Sequence, residues 1–265
     1  MFDALYIGAT GMQAQQLNVE TIANNLANAN TAAFKKSRVG FSDLMVGAAN
    51  RVTQSSADEL RGGVLSPGPS LGGGVAVSSM SKVFDAGELK KTDAPLDVAI
   101  RGDGFLELTL PDGSSAYARG GTLKVNKDGL LANQAGRPLR PAIAIPDNAQ
   151  AITIGQDGRV LVTLPNQSTP VDAGQLELVR FASPGQLLAL GDNLYRATEA
   201  SGDAMAARAG EDGAGTLAQG FLEGSNVKMV DEMVNLMLAQ RAYEASVKVV
   251  QAADEMFGLI NNLRK

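Results

Sequence analysis

The side chains here that offer chemistry in quantity are carboxylates. Asp103, Asp112, Asp128 and Asp157 each stand immediately before a glycine. Two carboxylates flanking a sugar can hydrolyse a glycosidic bond, one as acid and the other as nucleophile or base. No other familiar catalytic set can be assembled, because the chain contains neither histidine nor cysteine. Ser–His–Asp and Cys–His catalysis, thiolate metal centres and imidazole pH switches are excluded on that ground. Asp-Gly is also what a tight hairpin turn selects, since both residues accept positive φ. Turns explain all four aspartates, so the expectation is no enzyme, no catalytic residue, no cofactor and no metal. Arg101-Gly102-Asp103 spells a tripeptide that raises a secreted adhesive β module as an alternative. Gly104 follows it in a strand–turn–strand setting, which favours a plain turn.

Composition narrows the partners. At 265 residues the chain has room for one large or two modest domains. Its 45% hydrophobic and 19% charged content is that of a foldable soluble protein. A net charge of −5 gives no electrostatic footprint for nucleic acid, and Lys35, Lys36 and Arg38 are the sole basic cluster. The lack of cysteine is compatible with an oxidising space. The first residues show neither a basic leader nor a continuous apolar core, so no cleaved secretory signal is expected. No apolar run approaches the ~18 residues of a membrane helix, so no membrane insertion is expected.

Two amphipathic segments at the chain ends must position whatever function exists. In the first, Leu5, Met12, Val19 and Leu26 fall seven apart, with Ile22 alongside. In the second, Met229, Leu236, Tyr243, Val250 and Phe257 do the same, with Met233 and Val247 on that side. Such spacing lines side chains along a seam suited to another helix. From Ala4 to Ala33 the only charge is Glu20, and the polar positions are mostly amides. That pattern suits burial among several neighbours, although a single core helix of a monomer reads equally well. Asn28 and Asn30 are the expected left-handed stop residues, and Ser225 or Asn226 the expected cap of the second helix. Asp231 and Glu232 near its start and Arg264 and Lys265 at its end agree with the helix dipole. A second row, Ala242, Ala245, Val249, Met256, Ile260 and Leu263, widens the apolar arc beyond what one partner covers. The ends of an isolated subunit are therefore expected to be loose.

Between the ends the sequence reads as β. Strands are expected at 96–100, 105–110, 122–125, 151–154, 160–164 and 176–181, forming an antiparallel sandwich or barrel. From about Phe41 to Ser81, Arg61-Gly62-Gly63, Ser66-Pro67-Gly68-Pro69 and Gly72-Gly73-Gly74 break the pattern. An extended arm with one short strand near Val75-Ala76-Val77 is expected there. Residues 199–216 read as a loop. The fold class is thus mainly β with long terminal α-helices. The organisation is a helical assembly domain from 1–40 and 222–265, an arm at 41–81 and a β-rich outer body at 82–221.

Several strings then resemble one family. Ala23-Asn24-Asn25-Leu26-Ala27-Asn28, Thr31 and Phe34-Lys35 look like the N-terminal signature of the bacterial flagellar rod and hook proteins. Ser225-Asn226-Val227 and Gln240-Arg241-Ala242-Tyr243-Glu244 look like their C-terminal signature. Asp97 to Phe105 and Leu110 to Tyr117 agree as well, so the resemblance covers nearly the whole chain. Pro141 to Pro146, Gly191 to Tyr195 and the length are similar to the distal rod branch of that family. The proximal rod branch, which Leu222 to Val227 also resembles, is the alternative. Hook subunits fit less well, because they carry a further β domain. Ala33 departs from the family, which has Gly before the Phe, and Val46 to Ser70 diverges from the distal rod pattern.

The resemblance implies a subunit of the basal-body rod, exported unfolded through the flagellar type III apparatus and polymerising helically into a hollow shaft across the periplasm. It implies as partners further copies of the chain, adjacent rod and hook proteins, the export apparatus and surrounding ring proteins. The expected assembly interface comprises Leu5, Met12, Val19, Ile22, Asn24, Asn25, Leu26, Asn28, Asn226, Val227, Met229, Met233, Leu236, Gln240, Arg241, Tyr243, Val247, Val250 and Phe257.

Overall fold

The structure is a computed structural model that describes residues 2–45, 72–165 and 169–263. Among these residues the chain forms two α-helices and eighteen strands, so it is mainly β with a helix toward each end. Helix α1 spans Phe2–Ala27 and α2 spans Met229–Leu263. Contacts divide the chain into two units. One takes the described parts of 1–24, 38–80 and 230–265; the other takes 25–37 and 81–229.

The first unit holds most of both helices with a strand pair, β1 (Ser37–Met45) and β2 (Gly72–Lys82). The strands extend further into the glycine-rich segment than the sequence suggested. Gly40 makes this possible, because a Cβ there would lie 2.7 Å from Ser79 Oγ on the opposite strand. Gly74, at φ +109°, sits so close to α1 that a Cβ would fall 2.5 Å from Thr10 Oγ1. The strings Arg61-Gly62-Gly63 and Ser66-Pro67-Gly68-Pro69, with the whole divergent stretch Val46 to Ser70, lie outside the described residues.

The second unit is a β body. Strands β4 (Asp97–Arg101), β7 (Gly120–Val125), β8 (Leu131–Asn133) and β17 (Thr216–Gln219) form a four-stranded sheet in the order β17-β4-β7-β8. A larger sheet joins β5 (Phe105–Thr109), β6 (Ser115–Ala118), β9 (Leu139–Arg140), β13 (Glu177–Arg180), β14 (Leu188–Gly191), β15 (Leu194–Arg196) and β16 (Met205–Arg208). Its main path runs β14-β15-β6-β5-β13-β16, with β9 on β5. Strands β10 (Ala151–Ile154), β11 (Arg159–Thr163) and β12 (Val171–Gln175) form a third sheet, and β3 (Leu89–Lys91) pairs with β18 (Phe221–Glu223). The strand pairs of this body are antiparallel, as at Leu106↔Ala118 and Val98↔Gly121. These sheets are open among the described residues; none closes as a barrel.

The core follows from strand periodicity. Leu106, Leu108, Leu139, Leu178 and Leu194 bury one side of the large sheet with Val98, Ile100 and Leu217 of the four-stranded sheet. Phe105, Tyr117, Val179, Phe181 and Tyr195 form a separate aromatic cluster. Its rings meet edge to face, Tyr117 on Phe181 at 4.8 Å and Phe84 on Tyr195 at 4.9 Å. Alternation of side chains along β5 and β13 separates the two clusters.

The turn aspartates have structural partners. Asp112 Oδ1 accepts from Ser114 N at 3.0 Å and Ser114 Oγ at 2.7 Å, which holds its carboxyl below the usual range. Asp157 Oδ1 accepts from Arg159 N at 3.2 Å. Gly113, Gly129 and Gly158 have φ of +81°, +73° and +86°, as Asp-Gly turns require. Residues 199–216, expected as a loop, contain β16, a single 3-10 turn at Glu199–Ser201 and the first residue of β17. Among the described residues no helix is long and apolar enough to cross a membrane.

Candidate assembly interface

The two helices of the first unit meet along a seam built from small residues. A Cβ on Gly8 would lie 2.6 Å from Val250 Cγ2, and one on Gly11 would lie 3.4 Å from Ser246 Oγ. Gly8, Ala14 and Ile22 are buried on α1, and Ala239 and Ala253 on α2. Leu236, Ser246, Val250 and Phe257 continue that side half-buried, three, four or seven apart. Ser246 Oγ donates back to the Ala242 carbonyl at 3.0 Å, so its hydroxyl is satisfied within the helix.

The expected interface residues divide by position. Ile22 is buried; Leu5, Met12, Val19 and Leu26 are half-buried, as are Leu236, Val247, Val250 and Phe257. Met229, Met233 and Tyr243 are exposed, together with Asn24, Gln240 and Arg241. Of the heptad row on α2, Leu236, Val250 and Phe257 lie on the packed side, and Met229 and Tyr243 are exposed. At 100° per residue Ser246 falls midway between Ala239 and Ala253, and Tyr243 lies about 60° away. Residues 230, 234, 237 and 238 form an exposed apolar row that the sequence reading did not single out. The side chains of Ile260 and Leu263, and Arg264 and Lys265 entirely, lie outside the described residues.

Shallow grooves flank the seam. One is lined by Gln15, Asn18 and Ile22 of α1 and Asn235, Leu238, Ala239 and Ala242 of α2, with a volume of about 380 Å³. Another is lined by Gln16, Val19, Glu20, Gln240, Tyr243 and Glu244, at about 710 Å³. The amides here bond along the helix, Asn18 Nδ2 to Gln15 Oε1 at 3.4 Å and Gln16 Nε2 to Glu20 Oε1 at 3.1 Å.

The remaining expected residues belong to the second unit, which receives the end of α1 and the start of α2. Asn25, buried, pairs with Ser37 as a backbone would. Its Oδ1 accepts from Ser37 N at 2.9 Å and its Nδ2 donates to Ser37 O at 2.9 Å. Asn226 does not cap α2, which begins three residues later. Its Oδ1 accepts from Lys36 N at 2.8 Å and its Nδ2 donates to the Val83 carbonyl at 2.7 Å. Val227 is buried, and Asn28, half-buried, closes a turn by accepting from Thr31 Oγ1 at 3.1 Å. The left-handed residue after α1 is Ala33, at φ +57°, and not an asparagine. That conformation explains why glycine suits this position.

Sequence reasoning missed the ion cluster beneath these contacts. Lys35, Arg119 and Glu223 are all buried. Lys35 Nζ donates to Glu223 Oε1 at 2.7 Å and to the Asp85 carbonyl at 2.7 Å. Arg119 Nε donates to Glu223 Oε2 at 3.3 Å, and its Nη atoms donate to the Gly104 and Gly102 carbonyls at 2.7 and 2.8 Å. Gly87 N donates to Glu223 Oε1 at 2.9 Å, and Glu223 O accepts from Ala33 N at 2.7 Å. Burial pushes the Lys35 ammonium below its ordinary pKa, against the pull of Glu223. Lys82 Nζ donates to Lys35 O at 2.9 Å and lies 4.5 Å from the Phe34 ring centre. The signal available was a single charge among small or apolar neighbours: Arg119 after Tyr117-Ala118, and Glu223 after Phe221-Leu222.

The arrangement offers surfaces for packing rather than groups for catalysis. Among the described residues no group of three or more acidic side chains could hold a metal. Three family descriptions match: a flagella basal body rod protein over residues 5–35, a flagellar hook protein FlgE/F/G D1 domain over 99–162, and a flagellar basal body rod FlgEFG protein C-terminal region over 218–263. None describes a catalytic family. The chain belongs to the flagellar basal-body rod FlgEFG family. It is 42% identical over 264 residues to the flagellar basal-body rod protein FlgG of Buchnera aphidicola subsp. Schizaphis graminum, covering 99% of this chain and 100% of that one. It is 44% identical to the FlgG of Caulobacter vibrioides, covering 98% and 99%, and 35% identical to that of Bacillus subtilis over the full length of both.

Proposed function

We propose that this chain is a structural subunit of the flagellar basal-body rod, on its distal part, and that it polymerises through its two helices. The observation that carries this reading is the apolar row on α2. Val230, Val234, Met237, Leu238 and Leu259 are 73, 50, 55, 60 and 64% exposed, along a helix whose other side is already packed. Large apolar side chains in a contiguous exposed row mark an interaction surface. Covering them removes apolar area worth about 25 cal/mol per Å², repeated at every subunit. In this reading α1 and α2 pair in a coiled-coil-like manner within 1–40 and 222–265. Residues 41–81 act as an arm along neighbours, and the sheets of 82–221 pack as a sandwich-like outer body.

The same reading has the subunit leave the cell interior through the flagellar export apparatus without a cleaved signal. It takes its place in a rod across the periplasm, among adjacent rod and hook proteins and surrounded by rings. Leu238→Asp in the full chain tests it. The substitution places a charge on an exposed position, so the β body keeps its melting temperature. Polymer, pelleted and viewed by negative-stain electron microscopy, is lost. Normal rods from this variant would remove the basis of the proposal.

A further inference from the structure

Oxidation has few places to act on this chain. Cysteine, tryptophan and histidine are all absent, which leaves the nine methionines as the side chains that a mild oxidant converts first. Three of them, Met229, Met233 and Met237, stand four apart on α2, one above the next along a single stripe. They are 49, 55 and 55% exposed, so their thioethers are open to a small oxidant. Val230, Val234 and Leu238 each follow one position on and form the adjoining exposed row. The start of α2 thus presents two apolar rows side by side, one of which carries sulfur. In the β body Met205, the first residue of β16, is equally open at 52%.

We infer that Met229, Met233 and Met237 form an oxidation site that governs assembly: hydrogen peroxide converts them to sulfoxides in the free subunit, and the modified face no longer packs against a second copy of this chain. The inference rests on the polymerising role proposed above and adds its regulation. The thioether sulfur attacks one oxygen of the peroxide. An S–O bond forms, the O–O bond breaks and the other oxygen leaves as water, so sulfur loses two electrons and the peroxide gains them. A flexible apolar side chain becomes a polar one with an acceptor oxygen. Val230, Val234 and Leu238 beside the stripe offer that oxygen no side-chain donor, and burying an acceptor without one is costly. In the polymer the stripe is covered, so the subunit is sensitive before assembly and protected after it. Sulfoxide reductases reverse the change, which makes it a switch and not only damage.

Hydrogen peroxide on the full chain tests the site, with each protein compared with its own untreated state. Oxidation of the free subunit, verified by peptide mass spectrometry, raises the critical concentration for pelletable polymer at least about tenfold. Methionine sulfoxide reductases A and B with dithiothreitol bring it back. The triple variant Met229→Leu, Met233→Leu and Met237→Leu keeps an apolar stripe without sulfur, and its critical concentration moves by less than about twofold on the same treatment. A second measurement needs no variant. In preformed polymer the three methionines oxidise at least about tenfold more slowly than in the free subunit, while Met205 changes little. Three results would each overturn the site: unchanged polymerisation of a chain that carries the three sulfoxides, equal loss in the leucine variant, or oxidation of the stripe as fast in polymer as in the free subunit. Loss of polymer in Leu238→Asp would then leave the rod-subunit reading standing. No polymer from the untreated chain would overturn self-assembly and the site together.

Discussion

Glu223→Gln is the sharpest perturbation of the β body. The carboxylate takes donors from Lys35, Arg119 and Gly87 in a site that is almost fully buried. Two cations face one anion there, so the cluster already holds a surplus positive charge. The glutamine amide keeps the shape, removes the anion, and turns an NH₂ group toward the Lys35 or Arg119 donors. Breaking a buried pair by removing one partner costs about 3–5 kcal/mol. Lys35→Met is a different loss. It leaves Arg119 and Glu223 as a balanced pair, and the Asp85 carbonyl it abandons still has Asn226 Nδ2 at 3.3 Å. It also removes an ammonium whose burial already disfavours its charged form. Its cost is about 1–2 kcal/mol, that of an ordinary buried hydrogen bond.

For a unit of this size each kcal/mol moves the midpoint by roughly 2–4 °C. Glu223→Gln therefore lowers it by roughly 6–20 °C, and Lys35→Met by at most about 8 °C. In the double variant Lys35→Met recovers part of the Glu223→Gln loss, because it removes a cation left without its anion. Near-ultraviolet circular dichroism is the assay, since the ring cluster of Phe84, Phe105, Tyr117, Phe181 and Tyr195 lies in the same unit. The reasoning fails if Glu223→Gln melts within 1 kcal/mol of the parent, or if Lys35→Met costs as much.

Other perturbations test separate parts. Burial pushes the Tyr195 hydroxyl from 10.0 up to about 12. Between those values the unfolded chain loses a proton that the folded chain keeps, so stability falls as pH rises through 10 to 12 by about 2–3 kcal/mol. Tyr195→Phe removes that part of the slope, read by urea titrations at pH 9, 10 and 11. Ala33→Gly relieves a left-handed alanine and, after the added unfolded-state entropy, gains up to about 1 kcal/mol in thermal melts of the body. Gly8→Val drives a side chain into Val250 and costs about 1–3 kcal/mol of helix pairing, seen as lost ellipticity at 222 nm and loss of polymer.

The parts of this molecule that were legible in its sequence are those written in local pattern. Ala151 to Ile154 alternates as a strand and is one, and Asp112-Gly113 turns where its chemistry says it must. Strand β14 carries no such pattern: all four residues are exposed, and only pairing with β15 makes it a strand. Part of the helix seam was not legible for a related reason. Seven-residue spacing was scored on large side chains, yet two helices that approach closely bury their small ones, here Gly8, Ala14, Ala239 and Ala253. Met229, Met233 and Tyr243 were legible as apolar but not as outward-facing. The ion cluster was the least visible, since Lys35 and Glu223 meet across 188 residues and no local rule links them. Yet the asparagines read from the terminal signatures lie beside it: Asn25 holds Ser37, and Asn226 holds Lys36 and Val83. The signatures at the two chain ends therefore encode, in part, a knot inside the β body. That knot ties the exit of α1 to the entry of α2 before any second subunit arrives. A variant that loosens it should lower the stability of the monomer as well as its assembly, whereas Leu238→Asp on the exposed row of α2 should touch assembly alone.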